Sequence, residues 1–177
     1  MRVDRVTTKR PVKKVRKAGV GLDPVKANIT VIMSKKVKTV RADMSIAAAM
    51  EVMVTSEIGH LPVIGLDGEL VGILSKSDLV REQFINGETG VADVKVTGKN
   101  GVRYSPGPGF HEDGEAIKTV SDVMSTRVQT VRDDATIAEA ATVMAKHRVH
   151  GLPVVTKKNA LVGFVSTFDV VDWVASA

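Results

Sequence analysis

The chain has 177 residues, of which 44% are hydrophobic but only 3% aromatic, and this composition predicts an aliphatic core in one domain or two small ones. Cysteine is absent, which excludes disulfides and thiolate metal sites. No apolar run approaches the ~20 residues that a membrane span needs. The composition therefore favours a cytoplasmic protein without a membrane segment.

The net charge of +5 is concentrated at the N-terminus, where residues 1–26 contain nine Lys or Arg and two Asp. We interpret residues 1–28 as a basic arm, since they hold too few large apolar side chains to offset the entropy lost on ordering. Such an arm is able to neutralise nucleic-acid phosphates. Nucleic-acid binding through residues 1–26 thus stays open beside a solubilising tail or a docking segment for an unknown protein partner.

The rest of the chain is dominated by an internal repeat. Residues 33–80 align with residues 124–171 at a constant offset of 91, without a gap, and 21 of the 48 positions are identical. Two copies of a small unit usually pack about a pseudo-twofold axis, so the groove between them is lined twice by the same residue types. We assign the first repeat to residues 29–85 and the second to residues 119–177.

The pattern within each repeat predicts the order strand, helix, strand, strand, helix. In the first repeat, Val37–Val40 reads as a strand, and apolar residues from Ile46 to Met53 recur at helical spacing behind possible caps at Asp43 and Ser45. Two further strands flank the tight-turn pair Asp67-Gly68. A last helix follows, which we expect to be capped by Ser77 and Asp78 and, in the second repeat, to start at Asp169.

Residues 86–118 separate the repeats and belong to neither. Val94–Thr97 and Val102–Tyr104 alternate around the turn residues 99–101, which predicts a small β-hairpin insertion. Ser105–Gly109 (SPGPG) predicts an irregular loop.

The polar residues with the clearest chemistry stand where the last strand of each repeat meets its last helix. The first copy has Ser75 and Asp78 there, and the second has Ser166 and Asp169. A helix N-terminus offers free N–H groups to a phosphate, and a carboxylate can accept from two sugar hydroxyls, so the pattern favours a ribonucleotide. The alternative is an ordinary helix cap.

These residues resemble a pair of CBS domains, also called a Bateman module, as found in stand-alone tandem CBS proteins. The resemblance rests on Met33-Ser34 and Met124-Ser125, on the Leu-Pro-Val segments at 61–63 and 152–154, and on the duplicated Gly-x-x-Ser-x-x-Asp pattern. It implies a mixed α/β (α+β) fold of two β-α-β-β-α repeats, usually paired into a homodimer. It also implies that AMP, ADP, ATP or S-adenosylmethionine binds between the repeats.

The resemblance assigns roles to individual residues. The backbone at Thr39-Val40 and at Thr130-Val131 would contact the adenine. Leu61-Pro62 and Leu152-Pro153 would form the sides of the pocket around the base. Asp78 and Asp169 would hold ribose hydroxyls, while Ser75, Ser77, Ser166 and Thr167 would approach ribose or phosphate.

The phosphate-binding pair of the family, a His followed by an Arg, is incomplete in this chain. Gly59-His60 and His150-Gly151 each keep one histidine, and the two could share one phosphate if the repeats converge. This makes AMP the first choice of ligand. Phe168, which stands where the first repeat has Ser77, is expected either to narrow one cleft or to pack in the core.

We expect no catalytic residues, no catalytic cofactor and no metal. No nucleophile motif is present, and His147 and His150 have helical ligand spacing but no third ligand nearby. The predicted function is a non-enzymatic sensor of an adenosine compound.

Overall fold

The computed structural model describes residues 23, 26–85, 96–97, 103–104 and 118–176. Most of the predicted arm and most of the predicted insertion, including the Ser105–Gly109 loop, lie outside the described residues. The boundaries that we assigned to the arm, the repeats and the insertion therefore stay predictions.

The first repeat has the predicted order of elements. They are strand β1 (Val40–Arg41), helix α1 (Ile46–Ser56), strands β2 (His60–Ile64) and β3 (Leu70–Ser75), and helix α2 (Lys76–Ile85). Strand β2 is central, parallel to β1 and antiparallel to β3. The Ser45 side chain caps α1 by accepting from the Ala48 amide at 3.3 Å, and the β2–β3 turn places Gly68 at a φ of 79°, where glycine carries no steric cost.

The predicted hairpin between the repeats is confirmed in its paired residues. Strand β4 (Val96–Thr97) runs antiparallel to β5 (Arg103–Tyr104), with Val96 opposite Tyr104.

The second repeat has the same fold as the first. A short helix, α3 (Val120–Val123), precedes strand β6 (Val131–Arg132), helix α4 (Ile137–His147), strands β7 (Gly151–Val155) and β8 (Leu161–Ser166), and helix α5 (Thr167–Ser176). Strand β7 is central, with the same parallel and antiparallel neighbours as β2. Helix α4 begins with a capping box in which Thr136 and Glu139 each accept the other's amide N–H.

A segment at the start of each repeat packs into the core of the other repeat. We call residues 27–34 and 118–125 the first and second lead-in segments. The first includes a short 3₁₀ turn, Ile29–Val31, and packs Ala27 and Ile29 into the aliphatic core of the second repeat. The second packs Val120 into the core of the first repeat. Ile29 and Val120 are both fully buried, so each core depends on a residue from the far half of the chain.

The exchange is reciprocal and reveals the predicted pseudo-twofold axis. Several backbone β-bridges join the two halves. When 91 is added to the residue number in the first half and subtracted from the number in the second half, each bridge becomes another observed bridge or itself, as expected for contacts across a twofold axis. The bridges are Ser34–Phe164 with Ser125–Ile73, Asn28–Thr136 with Thr119–Ser45, and Glu69–Ala160, which maps onto itself. The Glu69–Ala160 bridge therefore lies at the axis.

Two methionines fix how closely the lead-in segments approach. Met33 lies against Gly163 and Met124 against Gly72, so a Cβ on either glycine would lie 2.4 or 2.5 Å from the methionine sulfur. Only glycine allows this contact without a shift of the methionine side chain. The Met-Ser and Gly-x-x-Ser patterns of the sequence are thus two sides of one interface between the repeats.

We predict that Gly163→Ala lowers the free energy of unfolding by ~1–3 kcal/mol, because the added methyl overpacks against Met33. This cost exceeds the ~0.4–1 kcal/mol that a Gly→Ala change usually contributes by restricting the unfolded chain. Denaturant unfolding measures the difference.

Gly59→Ala is the matched control, since no atom lies within 4 Å of its built Cβ. It should leave stability unchanged or slightly raised. The double variant Gly163→Ala/Met33→Ala should cost less than the sum of the single changes. Equal effects of the two glycine substitutions would contradict the proposed contact.

Candidate functional site

The Ser-x-x-Asp pattern of the first repeat forms a reciprocal helix cap. The Ser75 amide and hydroxyl both donate to Asp78 Oδ2, at 2.8 and 2.6 Å, and the Asp78 amide donates to Ser75 Oγ at 3.3 Å. These bonds satisfy donors that the first helical turn leaves open. The ordinary helix cap that we considered as an alternative is therefore present.

The second repeat repeats this geometry at the turn into α5. The Ser166 amide and hydroxyl donate to Asp169 Oδ2 at 2.7 and 2.6 Å, and the Asp169 amide donates to Ser166 Oγ at 3.3 Å. In each copy one carboxylate oxygen is committed to the cap. A ribose would therefore meet mainly the other oxygen, Oδ1, rather than both oxygens as the sequence suggested.

The predicted starts of the last helices were wrong by two residues. Helix α2 begins at Lys76 and α5 at Thr167, so each Asp is the third residue of its helix. Ser75 and Ser166 take the capping role that we gave to Ser77 and Asp78 and to Asp169. The physical reason is the capping box, in which a carboxylate at the third helical position reaches back to the capping residue.

The two carboxylates differ in their surroundings. Asp78 is 7% exposed, and its Oδ1 lies 3.5 Å from the Ser125 hydroxyl of the second lead-in segment and 3.7 Å from the Arg81 guanidinium. Asp169 is partly buried. Neither carboxylate lies on the fully exposed surface, and Asp78 faces a residue from the other half of the chain.

The residues predicted to wall the base lie on opposite faces of the central strands β2 and β7. His60 pairs with Ser75 and Pro62 with Ile73, so these side chains share the face away from α1. Gly151 and Pro153 have the same relation to Ser166 and Phe164. Pro62 and Pro153 are fully buried on this face.

Leu61 and Leu152 point to the opposite face of their sheets. Both are fully buried in the aliphatic cores of their own repeats. Their side chains are therefore separated from the prolines by the sheet, and the wall role that the resemblance gave to these leucines has no support from their side chains.

The predicted adenine contacts lie at the start of β1 and β6. Val40 and Val131 are buried in the two cores, while the preceding Thr39 and Thr130 are partly exposed. The buried valine side chains are therefore not available to a ligand at these positions. The assignment of adenine to them stays a prediction.

The faces of the two repeats meet at His60 and Phe164. The ring centroids are 5.9 Å apart and the planes are inclined by 31°. Burial lowers the pKa of His60 below its usual 6.5, and the charges of His150 and Lys76 lower it further, against an opposing effect of Asp78. His60 therefore stands against a ring of the other repeat and, through its pairing with Ser75, beside the first Ser-Asp cap.

Backbone hydrogen bonds tie the histidine segments to the helix starts. The Lys76 amide donates to the Gly59 carbonyl at 3.1 Å, and the Thr167 amide donates to the His150 carbonyl at 3.0 Å. Ser77 is exposed and Thr167 partly exposed at these starts. Phe168, which we expected in a cleft or in the core, is 68% exposed and so is not part of a core.

Phe164 was not predicted as a site residue. Its ring covers Gly151, where a built Cβ would lie 2.6 Å from Cε1 and Cζ. Ser125, quoted only for the repeat, was also missed as a neighbour of Asp78. The mismatch of Ile73 and Phe164 in the repeat alignment is the sequence difference at this position, but it does not by itself indicate a site residue.

Two negative observations apply to the described part of the chain. It contains no group of three or more His, Cys, Asp or Glu side chains that could hold a metal ion. None of its helices has both the length and the apolar character needed to cross a membrane.

Comparison with curated proteins finds relatives of different lengths. The uncharacterized protein MJ1426 of Methanocaldococcus jannaschii is 31% identical over 147 residues, which cover 78% of this chain and 86% of that protein. L-aspartate semialdehyde sulfurtransferase of the same organism is 27% identical over 150 residues, which cover 83% of this chain but only 24% of the enzyme. The similarity to this longer protein thus spans about a quarter of its length.

Comparison with solved structures shows the same fold. The CBS domain pair of protein MJ0100, in complex with 5′-methylthioadenosine and S-adenosyl-L-methionine, superposes with a TM-score of 0.65 at 23% identity, covering 84% of this chain and 96% of that chain. CBSX2 in complex with AMP gives a TM-score of 0.64 at 23% identity, with the same coverage of 84% and 96%.

The family model of the CBS domain matches residues 25–84 and again residues 120–176. The first range includes the whole first lead-in segment, and the second includes residues 120–125 of the second lead-in segment. The chain therefore belongs to the CBS domain family and carries two copies of the domain in tandem.

Proposed function

We propose that this protein is a non-enzymatic regulatory module that binds an adenosine compound between its two CBS repeats. AMP is the first candidate, and ADP, ATP and S-adenosylmethionine are the others. The observation that carries the proposal is the duplicated Ser-Asp cap, which holds each carboxylate beside the face where His60 and Phe164 meet. The adenosine compounds bound by CBSX2 and by the MJ0100 domain pair support the same ligand class.

In this proposal the cap prepares the carboxylate for a ribose. Oδ2 is fixed by two donors in each repeat, so the side chain is already ordered before a ligand arrives. Oδ1 then accepts a ribose hydroxyl at little further entropic cost. The partly exposed Thr39 and Thr130 stand at the strand starts proposed for the adenine.

Regulation would arise from the exchanged lead-in segments. Ser125 belongs to the second lead-in segment and lies 3.5 Å from Asp78, so a ligand on Asp78 changes a contact between the halves. A ligand shifts a conformational equilibrium only by its difference in affinity for the two states. A cytoplasmic protein partner would read that shift.

Nucleic-acid binding by the basic arm is the second function suggested by the sequence. Its basis is the charge of residues 1–26, most of which lie outside the described residues, and deletion of these residues separates it from ligand binding. Under the main proposal, the deletion leaves adenosine binding intact.

We predict that Asp78→Ala and Asp169→Ala each weaken adenosine binding at one cleft by roughly 10- to 100-fold, as expected when a hydrogen bond to a charged group is lost. Calorimetric titration with AMP and with S-adenosylmethionine measures this change. Dissociation constants above the millimolar range for every adenosine compound would remove the ligand from the proposal.

Glu139→Ala is the control for the loss of a helix cap. Glu139 Oε2 accepts from the Thr136 amide and hydroxyl at 2.7 and 2.9 Å, a pattern matching that of Asp78 and Asp169, but Glu139 is exposed and belongs to no predicted site. Its removal should cost ~1 kcal/mol of stability without changing ligand affinity. Equal losses of affinity in all three variants would mean that the aspartates act only as caps.

We predict that the ligand-free protein loses stability as the pH falls below 6.5. The pKa of His60 is lower in the folded chain than in the unfolded chain, so the unfolded state binds more protons in this range. AMP should oppose the loss, because a phosphate beside His60 stabilises the imidazolium. Thermal unfolding between pH 7.5 and 5, with and without AMP, measures both effects.

His60→Gln should reduce both the pH dependence and the effect of AMP on it. Adenosine, which lacks the phosphate, provides the second comparison and should raise stability without reducing its pH dependence. If AMP and adenosine act alike in the wild-type protein, His60 does not contact a phosphate.

We predict a homodimer that involves the last helices of the repeats. Val80 on α2 and Val171 on α5 are 48% and 60% exposed and are related by the repeat offset, and Val174 on α5 is 65% exposed. Val171→Asp/Val174→Asp should weaken the dimer at least tenfold, because two charges would have to be desolvated. Analytical ultracentrifugation over a concentration series measures the dimer constant.

Leu66→Asp is the control for this prediction, since Leu66 is 83% exposed in the turn between β2 and β3. It should leave self-association unchanged. A monomeric wild-type protein at micromolar concentration would contradict the assignment of this surface.

A further inference from the structure

The two repeats differ where their central strands begin. The first repeat has His60 and Ile73 at the positions that Gly151 and Phe164 hold in the second. Around them, Pro62, Ser75 and Asp78 match Pro153, Ser166 and Asp169. The difference therefore changes two of the side chains beside an otherwise duplicated cap.

Phe164 fills the space that a side chain at position 151 would need. Pro153 pairs with Phe164 and Gly151 with Ser166, so the ring of Phe164 leans along β7 toward the cap of the second repeat. Its Cε1 and Cζ atoms lie 2.6 Å from a Cβ built on Gly151. Because a carbon atom cannot approach a ring this closely, position 151 cannot carry a histidine while Phe164 stays in place.

The same ring also contacts the first repeat. It lies 5.9 Å from the His60 imidazole, measured between centroids. Phe164 therefore separates the two caps: it covers Gly151 beside Ser166 and stands against His60 beside Ser75. An apolar ring occupies part of the space between the two halves.

More cationic side chains stand beside the first cap than beside the second. His60 is influenced by the charges of His150, Asp78 and Lys76, and Arg81 lies 3.7 Å from Asp78. Near the second cap, Thr167 replaces Lys76 and Asp172 replaces Arg81. The second repeat has its histidine at position 150, where the first has Gly59, and the His150 carbonyl accepts from the Thr167 amide at 3.0 Å. The first repeat thus has Lys76 and Arg81 at positions where the second has a hydroxyl and a carboxylate, while each repeat supplies one histidine near the start of its central strand.

We infer that Phe164 is a specificity-determining residue that limits the module to one phosphate-bearing ligand. The cleft of Ser75 and Asp78 takes a phosphorylated adenosine, because Lys76 directly follows Ser75 at the start of α2 and Arg81 lies 3.7 Å from Asp78, so both offer positive charge to its phosphate. The cleft of Ser166 and Asp169 takes an adenosine compound without phosphate, since a phosphate there would face an apolar ring and no side chain at position 151. This inference rests on the proposed adenosine binding and specifies the ligand class of each cleft.

The test compares AMP with adenosine in the full chain. The wild-type protein should bind one AMP but two adenosines per chain in calorimetric titration. The variant Gly151→His/Phe164→Ile gives the second repeat the residues of the first and should bind two AMP per chain. Gly151→His alone should lower the melting temperature more than the double variant does, since only the single change leaves the clash with the ring.

The fluorescence of Trp173 reports which cleft is occupied. Trp173 is the single tryptophan of the chain, is buried in the second core, and lies one helical turn after Asp169 on α5. Its fluorescence should respond to adenosine in the wild-type protein while AMP, at concentrations that fill its single site, produces a much smaller change. AMP should produce the full response in the double variant. Glu139→Ala, which weakens a helix cap outside both clefts, should keep one AMP per chain.

Each result of this test is decisive. Two equivalent AMP sites in the wild-type protein, or a folded double variant that still binds one AMP, would overturn the role of Phe164 while leaving adenosine binding in place. If the wild-type protein binds neither AMP nor adenosine but binds S-adenosylmethionine, this inference fails alone. If it binds no adenosine compound, the proposed function fails together with this inference.

Discussion

The contact on which this structure depends is the approach of a methionine to a glycine across the two repeats. Met33 on Gly163 and Met124 on Gly72 bring each lead-in segment close enough for Ser34 and Ser125 to form backbone bridges with β8 and β3. Each bridge pairs a lead-in segment with the edge strand of the other repeat's sheet. Ile29 and Val120, on the same segments, are buried in the core of the other repeat. Folding of one half is therefore coupled to folding of the other.

The candidate site follows from this coupling. Because the second lead-in segment lies along β3, Ser125 reaches Asp78, and because the sheets face each other, Phe164 reaches His60. The caps at Ser75 and Ser166 order the carboxylates using local hydrogen bonds alone. Local capping and contacts between the halves thus have separate roles, the first fixing the carboxylates and the second fixing what surrounds them.

The elements within each repeat were predictable because their signals are local. Helical spacing from Ile46 to Met53, the Ser45 cap and the Asp67-Gly68 turn each determine a short stretch of backbone, and all three are confirmed. The exchange of lead-in segments was not predictable, since neither Ile29 nor Val120 carries a sign of which sheet it joins. The duplicated fold itself was evident from the register of the repeat.

The candidate site was only partly accessible from the sequence. Ser-x-x-Asp is compatible with a cap at either residue, and the capping geometry that decides between them depends on where the helix begins. Strand alternation would have placed Leu61 and Pro62 on opposite faces, but the family pattern treats them as one unit. Phe164 reads as an ordinary strand residue, and its importance emerges only when Gly151 and His60 are seen on either side of its ring.

The reciprocal exchange also bears on how such a chain arises. A single repeat with its own lead-in segment has one sheet edge unpaired and one apolar segment with no core of its own to enter. Two copies of that unit would satisfy each other by swapping these segments, as in a domain-swapped dimer. The tandem chain then corresponds to such a dimer with its two copies joined covalently. Once joined, the copies no longer need identical sequences, so positions 151 and 164 can differ from positions 60 and 73.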